Sequence, residues 1–489
     1  MKKVVKTVSL LLVMILMVSM LGTLTGCNKK AEDTNVVTLY MMKSIDNTGS
    51  YDLVMEKANK IIEEKLGLTL DLKLIDQGNY MEKINTLTQS AEPMDLFFLS
   101  DHNTYLRYIK QDVILPLDDL LKDHGNAILE KVDEAAWDMV KYDGKIYAVK
   151  NHGTYSTANS IVFKKDLVEK YNFDYQNVNS YEDLEVFLKA VKENEPNVYP
   201  LSGAVGVTTS QRYVLSPDGT VFDNEKDKYI SVFDCDTVMT QWRTMADFYQ
   251  KGYLPKDIIS KNDLAGERKS GKYAVLPNSG YYTEDASKSS AYYGFPCVDK
   301  YTGNTPISSA SGARICLSST STHPEKAMQV LNLIWEDPEL SNTLAYGVEG
   351  VDYVIDEERS AEIGSKSIIP KQGAEQNWAI WHNWIGPLWD QWDSSWNRIE
   401  SLENMQEMNK HGATVKSLGF DFNNENVKAE HAQCSAVYEE CRPVFSNGCM
   451  NNFDEYLASA KNKFQNAGLD KVLAEKNKQY SEWKKAQNR

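Results

Sequence analysis

Residues 36–100 read VVTLYMMKSIDNTGSYDLVMEKANKIIEEKLGLTLDLKLIDQGNYMEKINTLTQSAEPMDLFFLS, and this stretch decides the fold class. Val36 to Met41 is a short apolar run suited to a buried strand. A polar loop, Lys43 to Ser50, follows it. Ser50 caps a predicted helix to about Leu66, whose Val54, Ala58, Ile61, Ile62 and Lys65 share one face, and Gly67 ends it. Leu68, Leu70, Leu72 and Leu74 then alternate with polar residues as far as Ile75, the pattern of a half-buried strand. Asn79 caps a second helix, and Asp95 to Ser100 is a third strand. Strand, helix, strand, helix, strand in that order argues for a parallel sheet with helices on both faces. Ligands of such sheets sit beyond the carboxyl ends of the strands. That rule makes Lys43 and Asp46, and Asp101, His102 and Asn103, candidate ligand contacts.

Further along, Asp143-Gly144 turns into a strand, Lys145 to Lys150, and Ser160 to Phe163 is another, with a helix after Asp166. Asn151 and His152 follow a strand that crosses between lobes, as ligand contacts or as hydrogen-bonded hinge residues. Pro217-Asp218-Gly219-Thr220 reads as a hairpin turn between Arg212–Leu215 and Val221–Phe222. Helix returns near Thr237 to Lys251. Gly271 to Leu276 and Ala313 to Leu317 are strands, and the loop Pro277 to Thr283 carries the paired Tyr281 and Tyr282. His323-Pro324-Glu325 opens a helix to about Trp335. Beyond Trp378 the chain reads mostly helical, and its last helix, Asp470 to Gln487, aligns Val472, Leu473, Lys476, Tyr480 and Trp483.

The chain has 489 residues, 42% hydrophobic and 25% charged, which is globular and long enough for several domains. Its net charge is −16, with 53 basic against 69 acidic residues, the wrong sign for gripping nucleic acid or an anionic membrane through charge. Lys2, Lys3 and Lys6, then the apolar run Val8 to Leu21, then Leu24-Thr25-Gly26-Cys27 form a secretory signal spanning 1–26. The Leu-Thr-Gly-Cys tetrapeptide resembles the lipobox of bacterial lipoproteins. That resemblance implies a diacylglyceryl thioether on Cys27 and a polar tether over 27–35, which anchors the protein at the extracellular face of the cell membrane. Cys235, Cys297, Cys316, Cys434, Cys441 and Cys449 are irregularly spaced, with no Cys-x-x-Cys pair. Buried free thiols are expected, with a bridge among the last three left open.

Motifs of chemistry are scarce. There is no GxxxxGK[ST] loop, no G-x-S-x-G elbow and no H-E-x-x-H, and the seven histidines are scattered. No catalytic residue, metal or cofactor is therefore expected. Asp223 to Asp234 has acids spaced somewhat like a calcium loop, but Lys228 stands where the loop needs glycine and Asp234 where it needs glutamate. The most unusual feature is aromatic. Trp378, Trp381, Trp384, Trp389, Trp392 and Trp396 place six of the ten tryptophans within nineteen residues. Indole faces stack on the C–H faces of sugars while polar neighbours bond hydroxyls. Trp389, Trp392 and Trp396 fall at helical spacing and read as core. Trp378, Trp381 and Trp384 precede Gly386-Pro387, a helix interruption, and join Tyr281 and Tyr282 as candidate platforms.

Taken together, several segments resemble the extracellular solute-binding proteins of carbohydrate ABC importers, in the LplA/LipO-like subgroup. They are Asn79 to Leu121, Tyr142 to Val149 (YDGKIYAV, followed by Lys150 where relatives carry proline), Ser321 to Asp337 (STHPEKAMQVLNLIWED), Tyr346 to Tyr353 (YGVEGVDY) and the helical ending from Gly419-Phe420 to Trp483. The resemblance implies an α/β, bilobal, periplasmic-binding-protein-like fold with crossing hinge strands. Its N-lobe takes 36–150 and 311–370, its C-lobe takes 151–310, and a helical module over 371–489 completes the C-lobe. It implies a monomer without enzymatic activity that captures an oligosaccharide in the cleft, uronate-bearing ones included, and delivers it to ABC permease subunits. Lys43, Lys150 and His152 are the groups available to a carboxylate. A receptor for peptides or another polar solute, and a secreted glycosidase with distant paired carboxyls, are the alternatives.

Overall fold

The structure, a computed structural model, describes residues 35–43, 49–90, 92–261, 263–277, 282–310, 312–371, 378, 380–395 and 397–486. Nine strands build its two main sheets: β1 (Val36–Lys43), β2 (Thr69–Asp76), β3 (Leu96–Leu99), β4 (Ala148–Lys150), β5 (Ala158–Lys164), β6 (Tyr199–Leu201), β7 (Tyr273–Leu276), β8 (Cys297–Asn304) and β9 (Arg314–Leu317).

The first sheet runs β2-β1-β3-β9-β4. β1 is parallel to β2 and β3, and β9 returns antiparallel between β3 and β4. The helix Tyr51–Leu66 lies against it because Val54, Met55, Ala58 and Ile62, at spacings of three and four, form one buried stripe. The strand expected over Lys145 to Lys150 is broken at Tyr147. Its first half pairs with Lys141–Tyr142 in a tight hairpin, and only Ala148–Lys150 joins the sheet. The second sheet runs β8-β5-β7-β6, with β5 antiparallel to both neighbours. A three-stranded meander, Tyr213–Leu215, Thr220–Asp223 and Lys228–Ser231, forms around the expected Pro217–Thr220 turn. The helices Asp236–Gln250, Lys428–Asn447, Phe453–Ala467 and Leu469–Ala486 pack on it through Trp242, Phe445, Phe464 and Val472.

The core around the first sheet takes residues from 37–149 and 315–368, and also Trp378, Ile380 and Ile385. The division expected at 370/371 is therefore displaced. Trp378 donates its indole N–H to the Leu344 carbonyl at 2.6 Å and belongs to the first lobe, so the chain leaves that lobe only near residue 398. The mostly helical reading beyond Trp378 also fails up to that point. Gly386 sits at φ +70° against Ser341 and Ile334, and Pro387 has no N–H to continue a helix. The segment consists of two short 3-10 turns, His382–Trp384 and Leu388–Asp390, and a two-residue strand, and helix resumes at Ile399. Trp389 and Trp392 accordingly share no helical face. The six cysteines after Cys27 are all free thiols. No helix among the described residues is long and apolar enough to cross a membrane.

Candidate functional site

Three segments pass between the lobes: residues 151–157, residues 305–313, and the helix Ile399–His411 with the strand-like 413–415 behind it. Their polar backbone groups have no sheet to join and are satisfied by one another. Asn409 accepts from the N–H groups of Tyr155 (2.8 Å) and Ser156 (3.1 Å) and donates to the Gly153 carbonyl (2.8 Å). Ser156 donates its hydroxyl to the Thr305 carbonyl at 2.6 Å, and Asn304 donates to the Met408 carbonyl at 3.0 Å. The Ile307 N–H reaches Ala413, and the Val415 N–H returns to Ile307. Behind these bonds Met139, Ile307, Ala310, Val415 and Leu418 close a small apolar cluster.

In front of this hinge lies a cavity of about 620 Å³. The crossing strand contributes Ser156 to Ala158, the C-lobe contributes Tyr282 to Lys288, and the first lobe contributes His382. The floor is one face of the third crossing, where Ser401, Asn404, Met405 and Met408 recur at helical spacing. Asn404 donates to the Tyr282 carbonyl at 3.0 Å, and Lys288 reaches Ser401 at 3.5 Å, so helix and C-lobe loop meet across it. Its charges balance. Lys288 and Arg398 stand against Asp285 and Glu400, with Arg398 also tied to Asp393 at 2.7 Å. Burial pushes the His382 pKa down to about 4, so this imidazole is neutral. The helix face carried a legible signal, a repeat of methionine and small polar residues every three to four positions. The sequence reading passed over it.

The candidate residues fare differently. Trp381 is 46% exposed, with its ring 6.0 Å from that of His382, which lines the cavity, but is not itself among the lining residues. Tyr282 lines the cavity, 5.2 Å from the Tyr301 ring. Trp378 is core, and Trp384 is half-buried against Phe98 at 5.1 Å. Asp101 caps the helix His102–Lys110, accepting the Thr104 N–H at 2.7 Å, and Asn103 is exposed on that helix. His102 is turned inward. Burial, then the Arg314 charge, lowers its pKa to about 4, and neither ring nitrogen makes a hydrogen bond of ordinary length. Lys43 pairs with Asp76 at 2.6 Å. Asp46, Tyr281, Trp396 and Cys27 lie outside the described residues.

Asn151 and His152 are hinge residues here. The Asn151 N–H bonds the Ala313 carbonyl at 3.0 Å, and its own carbonyl accepts from the Tyr155 hydroxyl at 3.1 Å. His152 stacks on Trp389 at 4.8 Å, meets Trp335 edge-on at 5.1 Å and bonds the Lys131 carbonyl at 2.8 Å, while burial depresses its pKa. Lys150 and Arg314, paired across β4 and β9, are both buried. They donate to the carbonyls of the second crossing: Lys150 to Ala313, Arg314 to Ala310 and Gly312. Burial, helped by Arg314, lowers the Lys150 pKa to about 7. In the loop with calcium-like spacing, Asp223 accepts two parallel hydrogen bonds from the Arg212 guanidinium, at 2.9 and 2.8 Å, which hold its carboxyl down to about 2.

Residues 48–335 match the family described as Bacterial extracellular solute-binding protein, and residues 416–485 match a Domain of unknown function (DUF3502). A protein of Streptococcus pneumoniae serotype 4 (strain ATCC BAA-334 / TIGR4), named Carbohydrate ABC transporter substrate-binding protein, is 27% identical over 482 residues, covering 95% of this chain and 94% of its own. The N-glycan transport solute binding protein (NgtS) from Streptococcus pneumoniae is similar in three crystal structures. The one naming no glycan has a TM-score of 0.67 at 26% identity, covering 92% of this chain and 99% of the other. The complex with Man5GlcNAc scores 0.51 at 27% identity, covering 92% and 98%. The complex with Man1GlcNAc scores 0.54 at 26% identity, covering 92% and 99%.

Proposed function

The chain belongs to the bacterial extracellular solute-binding proteins, and from that premise we propose that it captures an oligosaccharide in the cleft between its lobes and hands it to the permease of an ABC importer. The observation that carries this reading is the cavity in front of the hinge. Both lobes and the crossing segments line it, its charges are balanced, and an exposed indole, Trp381, precedes the lining residue His382 in the chain. Hydroxyl and amide groups from Ser156, Ser401 and Asn404 suit the alternating donors and acceptors of a sugar. Met405, Met408 and Tyr282 suit its C–H faces, and the exposed Trp381 beside His382 is available to stack on it as the lobes close. The relatives named for carbohydrate and N-glycan transport support the same ligand class.

The ligand is a neutral glycan. Lys43, Lys150 and His152 are each engaged inside the protein: Lys43 by Asp76, Lys150 by a backbone carbonyl, His152 by the Lys131 carbonyl and Trp389. Of the two bases that line the cavity, Arg398 is paired with Asp393 and Lys288 reaches Ser401, beside as many acids. Capture works by hinge closure, with Trp381 carried by the first lobe and Tyr282 by the second. One protein scoring 0.67, 0.54 and 0.51 against this chain in three crystal structures supports such motion among relatives. A diacylglyceryl group on Cys27 holds a monomer at the outer face of the membrane.

Titration calorimetry with Man1GlcNAc, Man5GlcNAc, a uronate oligosaccharide and short peptides tests the reading. Binding of a neutral glycan that weakens about tenfold in Trp381→Ala supports it. Binding of peptides alone, or turnover of any glycan, refutes it.

A further inference from the structure

A second cavity, of about 460 Å³, opens in the C-lobe. Its position follows from the second sheet. Asn159 and Ser160 enter it from the start of β5, Thr302 from the end of β8, and Pro277 from just beyond β7. These are the strand ends that face the hinge, and Ala158, the residue before Asn159, lines the hinge cavity. The linings of the two cavities therefore include consecutive residues of β5, Ala158 and Asn159.

Their chemistry differs. The hinge cavity carries two acids and two bases, whereas every described residue lining the second is uncharged. Much of the lining is hydroxyl and amide. Thr209 is pinned to Thr302 by its N–H at 2.8 Å and by the paired hydroxyls at 3.1 Å. Gln241 donates its amide to the Val205 carbonyl at 3.1 Å, which fixes its side-chain oxygen as an acceptor at the wall. Thr208 is exposed on the rim. Leu215, Val238 and Pro277 add apolar surface to the same lining, and Leu215 is 45% exposed. Amide and hydroxyl groups interleaved with aliphatic ones, with no charge, match a neutral pyranose. A charged solute would find no counter-ion there. Each cavity lies within the ~300–1,000 Å³ of small-ligand sites, with room for a short saccharide rather than a whole branched glycan.

We propose that this groove is a second carbohydrate subsite, taking an uncharged arm of a glycan whose other end lies in the hinge cavity. The inference rests on the oligosaccharide reading above and adds that the protein selects for size through the C-lobe. The test is calorimetry of the protein and two variants against Man1GlcNAc and Man5GlcNAc. Thr208→Val/Gln241→Leu removes two neutral hydrogen-bonding groups, and Thr208→Trp fills the groove from an exposed position without disturbing the core. Unchanged binding of Man1GlcNAc with Man5GlcNAc weakened about tenfold in both variants is the expected result. Equal weakening of both glycans, or no weakening of either, overturns the subsite while leaving the oligosaccharide reading intact. Failure of the unaltered protein to bind either glycan removes that reading for this class of sugar, and the subsite with it.

Discussion

Replacing Asn409 with alanine removes three hydrogen bonds from a single point of the hinge. Its side chain accepts from Tyr155 and Ser156 and donates to Gly153, at 2.8, 3.1 and 2.8 Å. A neutral intramolecular bond contributes about 0.5–1.5 kcal/mol net, so three sum to roughly 1.5–4.5 kcal/mol. Asn409 and Tyr155 are only half-buried, and water can replace part of what is lost, which places the expected cost near the lower end, at about 2 kcal/mol. The loss is local, because Ser156 keeps its hydroxyl bond to Thr305 and the two lobe cores are untouched. Native-state hydrogen exchange reads it directly. The amides of Tyr155 and Ser156 should exchange about thirtyfold faster in Asn409→Ala, since each 1.4 kcal/mol is a factor of ten. Asn409→Asp keeps both acceptor bonds and loses only the donor to Gly153, so those two amides should stay close to the parent protein. Unchanged exchange in the alanine variant, or an equal acceleration throughout the chain, would refute the view that this side chain clips the crossings together.

Trp378→Ala should lower stability by about 3–5 kcal/mol in urea unfolding, as expected for a buried indole, whereas Trp381→Ala should leave stability within about 0.5 kcal/mol. His102 has a folded-state pKa near 4 against an ordinary 6.5, so the unfolded chain takes up the proton first on acidification. Its contribution is complete above about pH 6.5 and is lost as pH falls toward 4, about 3 kcal/mol in all, and His102→Phe should flatten that part of the stability profile. Asp299 behaves oppositely. Burial raises its carboxyl to about 6, so its contribution is present below about pH 3.8 and lost as pH rises through 6. Asp299→Asn, which can still pair with Ser289, should therefore gain stability above pH 6 in the same titration. Two helix-ending glycines separate backbone cost from packing cost. Gly67→Ala, at φ +65° with open space around it, should lose about 1 kcal/mol, while Gly448→Ala, at φ +69° with its new methyl on the Met245 carbonyl, should lose about 3 kcal/mol or more in urea unfolding.

The first sheet was legible because its signals are local. Alternating leucines in β2 and the three-to-four spacing of Val54, Ala58 and Ile62 report burial within a few residues of themselves. The tryptophan segment was misread for the same reason. Trp389, Trp392 and Trp396 have helical spacing, but Gly386-Pro387 and the fit of Gly386 against Ser341 and Ile334 impose irregular backbone there, and those contacts come from another part of the chain. The site shows where the strand-end rule stops. It points at the ends of β1 and β3, where no described residue after either strand lines the hinge cavity, and it does not say whether a polar group there remains available to a ligand. An aspartate just before a helix caps it, as Asp101 does, and a lysine beside an aspartate on the next strand pairs with it, as Lys43 does with Asp76. Lys150 and His152 stand where the chain crosses between lobes, and a crossing strand has carbonyls and N–H groups that no sheet satisfies, so these two side chains are drawn into bonds with backbone carbonyls. The groups left facing the cavity are those with lighter structural duties, such as Ser401 and Asn404 on one face of a crossing helix. A ligand-binding face is in this sense what remains after the fold has satisfied its own polar groups. That is why the residues lining the cavity emerge only once the hydrogen bonds of the hinge are known.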